Sequence, residues 1–348
     1  MRISVPGKLF LMGEYSVMHA GNPAIIVAVN KFLHAEIKES TDYQFTSEQG
    51  SFKWILDQNI PVLRYDMLIH AKAALNIAFQ YLSYLKIVPK KFHLDVISEL
   101  NHHDGIKYGL GSSGAIMIAV IKAILSYHQV PLDDMKIFKL AVLAQLDIKD
   151  VTSGGELAAS LYGGWVYYER YDLLWVINNR GLAMKLIDLK WPKLTINHLE
   201  VDHYKVAICF TGISKSTKDY LDKVASKDLK SGFYKKFLET GKTLVLRFKE
   251  ALLKQNDQVV YESIDAYRNL MLDLQTWAGI EIESTAFTTL IDSAHQYGYH
   301  AKISGAGFGD CGIAVLNEQE AFEPLLNIWS HQNFFPLNLK VWEIHHAN

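Results

Sequence analysis

The stretch Gly109-Leu110-Gly111-Ser112-Ser113-Gly114-Ala115 combines residue types that suit phosphate chemistry. Glycines let a backbone curl until consecutive N–H groups converge, and a helix starting just behind them adds partial positive charge. That assembly fits a di- or triphosphate, and the two hydroxyls can hold phosphate oxygens or a hard cation such as Mg²⁺. It is not a Walker A loop, because no Gly-Lys-Ser/Thr triplet follows at the required distance. A second reading stays open, in which Ser112 or Ser113 caps the helix and the glycines only punctuate a turn.

Other segments offer chemistry with a plainer alternative beside it. Pro6-Gly7-Lys8 and Gly13-Glu14-Tyr15 set a lysine and a glutamate among glycines, though an isolated lysine is usually solvated. Lys302 to Gly312 holds four glycines in eight residues, as a hairpin turn or as a loop that approaches a ligand closely. Ser153-Gly154-Gly155-Glu156 introduces a carboxylate, and its Ser-x-x-Glu spacing also fits a capping box. Thr211 to Lys218 carries Ser216, Thr217 and Lys218, which could hold an anion or simply cap a helix. His102-His103-Asp104 looks like a metal cluster, but adjacent residues rarely point at one ion, and no third ligand has suitable spacing.

Periodicity supplies the elements that must position these groups. Ala24 to Val29 and Phe92 to Ile97 read as strands, and Pro61 to Leu85 has helical spacing. Ser112 to Tyr127 is apolar almost all round, the pattern of a helix buried on most sides. A further helix is expected over Leu132 to Leu146 and a strand over Trp165 to Tyr168. Lys190-Trp191-Pro192-Lys193 is the linker candidate. Beyond it come a strand at Lys205 to Phe210, long helices across Gly232 to Trp277, and strands at Ala301 to Ser304 and Gly312 to Leu316. A helix near Ala321 to Trp329 and a last strand at Leu339 to Ile344 complete an α+β pattern.

The bulk composition narrows the class. Of 348 residues 49% are hydrophobic, enough to bury a sizeable core, and a net charge of −2 leaves no electrostatic footprint for nucleic acid. The two cysteines, Cys209 and Cys311, are too few for a disulfide framework, which fits a reducing compartment. With no signal-peptide pattern at Met1 to Lys8 and no long apolar run, a cytoplasmic protein with no membrane partner is expected.

Taken jointly, the N-terminal PGKL and GEY, the central GLGSSGA and the C-terminal SGAGFGDCG resemble the GHMP kinases in order and spacing. GEY where mevalonate kinases usually have GEH, Lys107 to Gly114, Gly309 to Gly312 and the Ser153 to Trp165 segment are most similar to the phosphomevalonate kinase group. The resemblance implies a two-domain fold: an N-terminal domain like ribosomal protein S5 domain 2 over 1–192, and a ferredoxin-like C-terminal domain over 193–348. It implies transfer of the ATP γ-phosphoryl group to the small molecule (R)-5-phosphomevalonate, with Mg²⁺; a homodimer is left open.

By the same resemblance, Lys107 and Gly109 to Gly114 bind ATP, Ser113 helps hold Mg²⁺, and Lys8 stabilises charge at the transferring group. Glu14, Tyr15, Ser216, Thr217, Lys218, Gly305, Gly307 and Gly309 fall on the substrate side. Glu156 stands where the family usually has aspartate, as general base or as orienter of Lys8. Alternatives are a mevalonate kinase, another small-alcohol kinase of this fold, or a non-catalytic relative that binds a metabolite.

Overall fold

The computed structural model describes residues 1–64, 67–101, 108–213, 223–224, 227–307 and 310–343. Its first half is organised on a long strand, β2 (Pro23–Glu39), paired antiparallel along one edge with β1 (Arg2–Met12). The Ala24 to Val29 run is fully buried, as an unbroken apolar strand covered on both faces must be. The strand runs past the apolar run because Leu33, Ala35 and Ile37 continue inward while Glu36 and Lys38 point to solvent. β1 was not legible as a strand, since Pro6-Gly7 reads as a break; the pairing survives there through a register shift.

The other edge of β2 carries two shorter strands end to end, β7 (Phe92–Ser98) and β8 (Trp165–Glu169). The sheet order is β4 (Gly50–Trp54), β3 (Tyr43–Ser47), β7, β2, β8 and β9 (Thr195–Leu199), with β1 as the seventh strand. β5 (Leu56–Asp57) and β6 (Ile60–Pro61) form a small hairpin. The helix expected from Pro61 therefore starts only at Ile69, as α1 (Ile69–Tyr84), because Pro61 is still paired in that hairpin.

Four helices cover this sheet: α1, α2 (Ser112–Tyr127), α3 (Asp134–Asp147) and α4 (Gly155–Tyr162). α2 packs on β1, β2, α1, α3 and α4, which explains its apolar composition on nearly every side. A short α5 (Leu173–Asn178) and a 3₁₀ segment follow.

The passage between the two sheets falls after Leu199, beyond the 192/193 division expected from the sequence. Trp191 is buried with its indole N–H donating to Leu186 O at 3.0 Å, so the Pro192 segment is anchored rather than a linker. β9 then pairs with β8 over its whole length, and the chain crosses to the second sheet between Leu199 and Tyr204.

That second sheet is antiparallel, ordered β11 (Ala301–Ile303), β12 (Cys311–Asn317), β10 (Tyr204–Phe210) and β13 (Phe335–Leu337). The helices of this half are α6 (Gly232–Leu253), α7 (Asp257–Ala278), α8 (Thr285–His295) and α9 (Glu323–His331). Of the strand expected at 339–344, the described part, 339–343, does not join this sheet. The chain leaves β13 and returns to the first sheet, where Val341 bridges Val29 and Trp342 N–H donates to Ala28 O at 2.9 Å. It fills the gap on β2 between β7 and β8. Among the described residues no helix is long and apolar enough to cross a membrane.

Candidate active site

The glycine-serine loop is tied to β1 by Lys8 N–H donating to Leu110 O at 2.9 Å. Gly109 and Gly111 have φ of +79° and +82°, a backbone that side-chain-bearing residues avoid. Gly111 is the N-cap of α2, and no side chain caps that end, so neither Ser112 nor Ser113 serves as the cap. Both serines instead line an open cleft of about 90 Å³, together with Leu33, His70, Ser98 and Asn101. Its mixture of apolar wall with a few polar groups is the kind of lining a small-molecule site has.

Lys8 lies across the loop. Its ammonium donates to Gly109 O at 3.1 Å, and a Cβ on Gly111 would sit 2.7 Å from Lys8 Cε. Close packing around the ammonium pushes its pKa below the usual lysine range, while the carboxylates of Glu156, Asp310 and Glu14 act to hold the proton. This is a lysine in a built electrostatic site, not a solvated one.

Glu156 sits in the first turn of α4, but the capping box does not form. The N-cap is Gly154, Ser153 Oγ accepts from Gly155 N–H at 3.1 Å, and the Glu156 carboxylate turns to other side chains. Its Oε1 accepts from Thr152 Oγ1 at 2.6 Å and from Gln145 Nε2 at 2.9 Å. A Cβ on Gly114 would lie 3.0 Å from Glu156 Cγ, so the absent side chain there lets the glutamate rest against the start of α2. Glu156 is the foremost charge acting on Lys8, whereas the lysine's own hydrogen bond goes to Gly109.

The third glycine loop closes over the first. Cys311 Sγ donates to Tyr108 O at 3.2 Å, and a Cβ on Gly109 would meet Asp310 Cγ at 2.4 Å. Tyr15 OH donates to Ala306 O and Ser304 Oγ to Phe10 O, each at 2.8 Å. Gly307 passes tightly under the Ile282 carbonyl, while Gly305 has open space beside it.

Glu14 is turned inward rather than toward a substrate: it is buried and paired with Lys302. Lys107, Ser216, Thr217, Lys218, Gly309 and the His102-His103-Asp104 triplet lie outside the described residues.

Sequence reasoning missed Gln145, Thr152, Asp310, Lys302 and Arg170. Arg170 is 3% exposed, and it donates to Met18 O and, at 2.8 Å, to Thr152 O, joining the turn after β1 to the Glu156 loop. A lone glutamine in the apolar Ala141 to Leu146 run was the one available signal for Gln145.

Comparison with known proteins places this geometry. The family model for the GHMP kinases N terminal domain matches residues 69–164, and that for GHMP kinases C terminal matches 248–333. A third, for Parkin co-regulated protein, matches 165–281, a span that runs from the first sheet into the second half and follows no structural unit here. A phosphomevalonate kinase of Streptomyces sp. is 30% identical over 96% of this chain and 95% of its own length. A mevalonate kinase of Methanocaldococcus jannaschii is 26% identical over 93% of this chain and 95% of its own.

Among solved structures, the Lin0012 protein from Listeria innocua superposes with a TM-score of 0.91 at 30% identity, covering 97% of this chain and 96% of that one. Streptococcus pneumoniae phosphomevalonate kinase, in complex with phosphomevalonate and AMPPNP, gives 0.86 at 24% identity, covering 97% and 99%. Similarity sustained from end to end, through both sheets and all three glycine loops, means that the chain belongs to the GHMP kinase family and has its two-domain fold.

Proposed function

We propose that this chain transfers the γ-phosphoryl group of ATP to (R)-5-phosphomevalonate, yielding (R)-5-diphosphomevalonate and ADP. The observation that carries the reading is the meeting at Lys8 of the Gly109–Ser113 loop, the Glu156 carboxylate and the Asp310 loop. Support for the acceptor comes from the Streptomyces relative and the pneumococcal complex named above.

In this reading the N–H groups at the start of α2 cradle the ATP phosphates. A phosphate oxygen of the acceptor attacks the γ-phosphorus, the bond to the β–γ bridging oxygen breaks, and that oxygen leaves with ADP. Phosphoryl transfer asks for alignment and charge stabilisation more than for covalent help from the protein. Lys8 supplies positive charge where the transferring group and the acceptor oxygen meet.

An acceptor phosphate with a second pKa of about 6 is already mostly dianionic at neutral pH, so no strong base is needed. Glu156 then serves chiefly to keep Lys8 protonated and aimed. Its extra methylene relative to aspartate is taken up by the anchoring of Oε1 on Thr152 and Gln145.

Among the described residues no group of three or more His, Cys, Asp or Glu side chains could hold a metal. Hard oxygen donors are nonetheless present, and Mg²⁺ characteristically takes few protein ligands and keeps waters and phosphate oxygens. Ser113 would hold it, and the ion would neutralise charge on the ATP phosphates.

The test is ADP formation with phosphomevalonate, mevalonate and galactose as acceptors, with and without Mg²⁺. The expected result is Mg²⁺-dependent turnover with phosphomevalonate and little with the other two. Comparable turnover with mevalonate would overturn the substrate assignment, and no turnover with any acceptor would point to a non-catalytic relative.

A further inference from the structure

Lys302 on β11 and Glu14 in the turn after β1 come from opposite halves of the fold, yet their charges meet. Lys302 Nζ lies 2.5 Å from Glu14 Oε1, and the two side chains are 0% and 2% exposed. The ammonium also donates to Ile303 O and sits 5.6 Å from the Tyr267 ring centroid. Tyr267 OH in turn donates to the backbone carbonyl of Glu14 at 2.8 Å. Glu14 Oε2 is buried and has no hydrogen-bond partner among the described residues.

Neither residue faces a cleft, so neither reaches a substrate. The pair is also a poor device for stability, because desolvating two charges offsets most of their attraction, and a well-packed apolar pair does as well or better. Its value lies in what it fixes. The residue after Glu14, Tyr15, bonds Ala306 in the third loop, and Ser304, two residues past Lys302, bonds Phe10, two residues past Lys8. Three links thus stitch the Lys8 strand to the root of the loop that presses Asp310 onto Gly109. Two of the three are neutral hydrogen bonds that tolerate small shifts. A desolvated ion pair does not, since any slip leaves a buried charge uncompensated.

We propose that Lys302 and Glu14 are positioning residues for phosphoryl transfer, setting the register between the Lys8 strand and the closing loop so that groups from both halves align. The proposal rests on the kinase reading above.

The test compares Lys302→Met, Glu14→Gln and the double variant for thermal midpoint, kcat, and KM for ATP and acceptor. Each single change leaves one buried charge unpaired, so midpoint and kcat should both fall. The double variant removes both charges and should recover most of the midpoint, while kcat stays about 10-fold or more below the parent and the KM for ATP changes by less than about 3-fold.

Parental kcat in the double variant would overturn the proposal and leave the pair a structural filler. A parent protein that forms no ADP with any acceptor would instead bring down the kinase reading, and this one with it. Should the neutral double variant fail to fold, Glu14→Asp with Lys302→Arg replaces it. That pair keeps both charges but alters their spacing, so kcat should fall in a folded protein, and unchanged kcat overturns the proposal.

Discussion

The Gly109–Gly111 loop is backed by a helix buried on nearly every side, whereas the loop between β11 and β12 is fastened at its two roots. Behind the first stand the side chains of α2 and a main-chain bond to β1. The second depends on Ser304, on Tyr15 reaching Ala306, and on the sealed Lys302–Glu14 pair at one root, with Cys311 at the other. Packing holds the first loop, and discrete polar links hold the second. Dense cores resist displacement in every direction, while a few directional bonds act chiefly to fix register.

Lys8 is the group both loops share, so its removal should have the largest effect. Lys8→Ala is expected to lower kcat by about 10²-fold or more while the KM for ATP changes little, because its charge matters most in the transition state. A raised KM with intact kcat would make it a nucleotide clamp belonging to the first loop alone. Since burial holds its pKa below the ordinary lysine value, and the protonated form is the active one, activity should fall as pH rises through that lowered value. An alkaline limb no lower than that of a free lysine would break the account of Lys8.

A smaller effect separates the loops directly. Gly109→Ala places a methyl 2.4–2.5 Å from Asp310 Cγ and Cβ, and the Cβ is held by the backbone and does not swing aside. Gly305→Ala meets nothing within 4 Å and bears only the left-handed backbone cost, about 1–2 kcal/mol. The first should therefore depress both thermal midpoint and turnover more than the second. Equal losses would mean that backbone strain alone, and not contact between the loops, sets the penalty.

How much of this was legible followed the range of the forces involved. The buried strand at Ala24 to Val29 and the helix at Ser112 to Tyr127 were readable because burial on several sides leaves a continuous apolar run. Three glycine segments declared themselves because backbone shape demands glycine locally. β1 was hidden by Pro6-Gly7, and the return of Val341 to Val29 leaves no local trace, since pairing across more than 300 residues is decided by tertiary fit. The anchoring of the Pro192 segment was not legible because a proline marks a break in pairing and says nothing of a buried tryptophan beside it. Glu156 was found by its place in a motif. Its anchors Thr152 and Gln145 were not, because a hydrogen bond between side chains on different elements has no sequence period.

The smallest expected effect bears on that anchoring and tests whether the first loop's surroundings are as rigid as its packing implies. Thr152→Val keeps the shape of the side chain and removes the hydroxyl that donates to Glu156 Oε1 at 2.6 Å. Gln145 still donates to the same oxygen, so the carboxylate keeps one of its two anchors. Losing one hydrogen bond to a charged group from a site otherwise held by packing should cost about 1–2 kcal/mol in the transition state, or roughly 5- to 30-fold in kcat. Glu156→Gln removes the charge itself and should cost more, with the midpoint little changed because no capping bond is lost. If Thr152→Val equals Glu156→Gln in effect, the carboxylate has lost its aim altogether, and the site around the first loop depends on discrete bonds as the second loop does. If it changes nothing, Gln145 alone suffices to orient Glu156, and the packing of α2 against α4 does the rest.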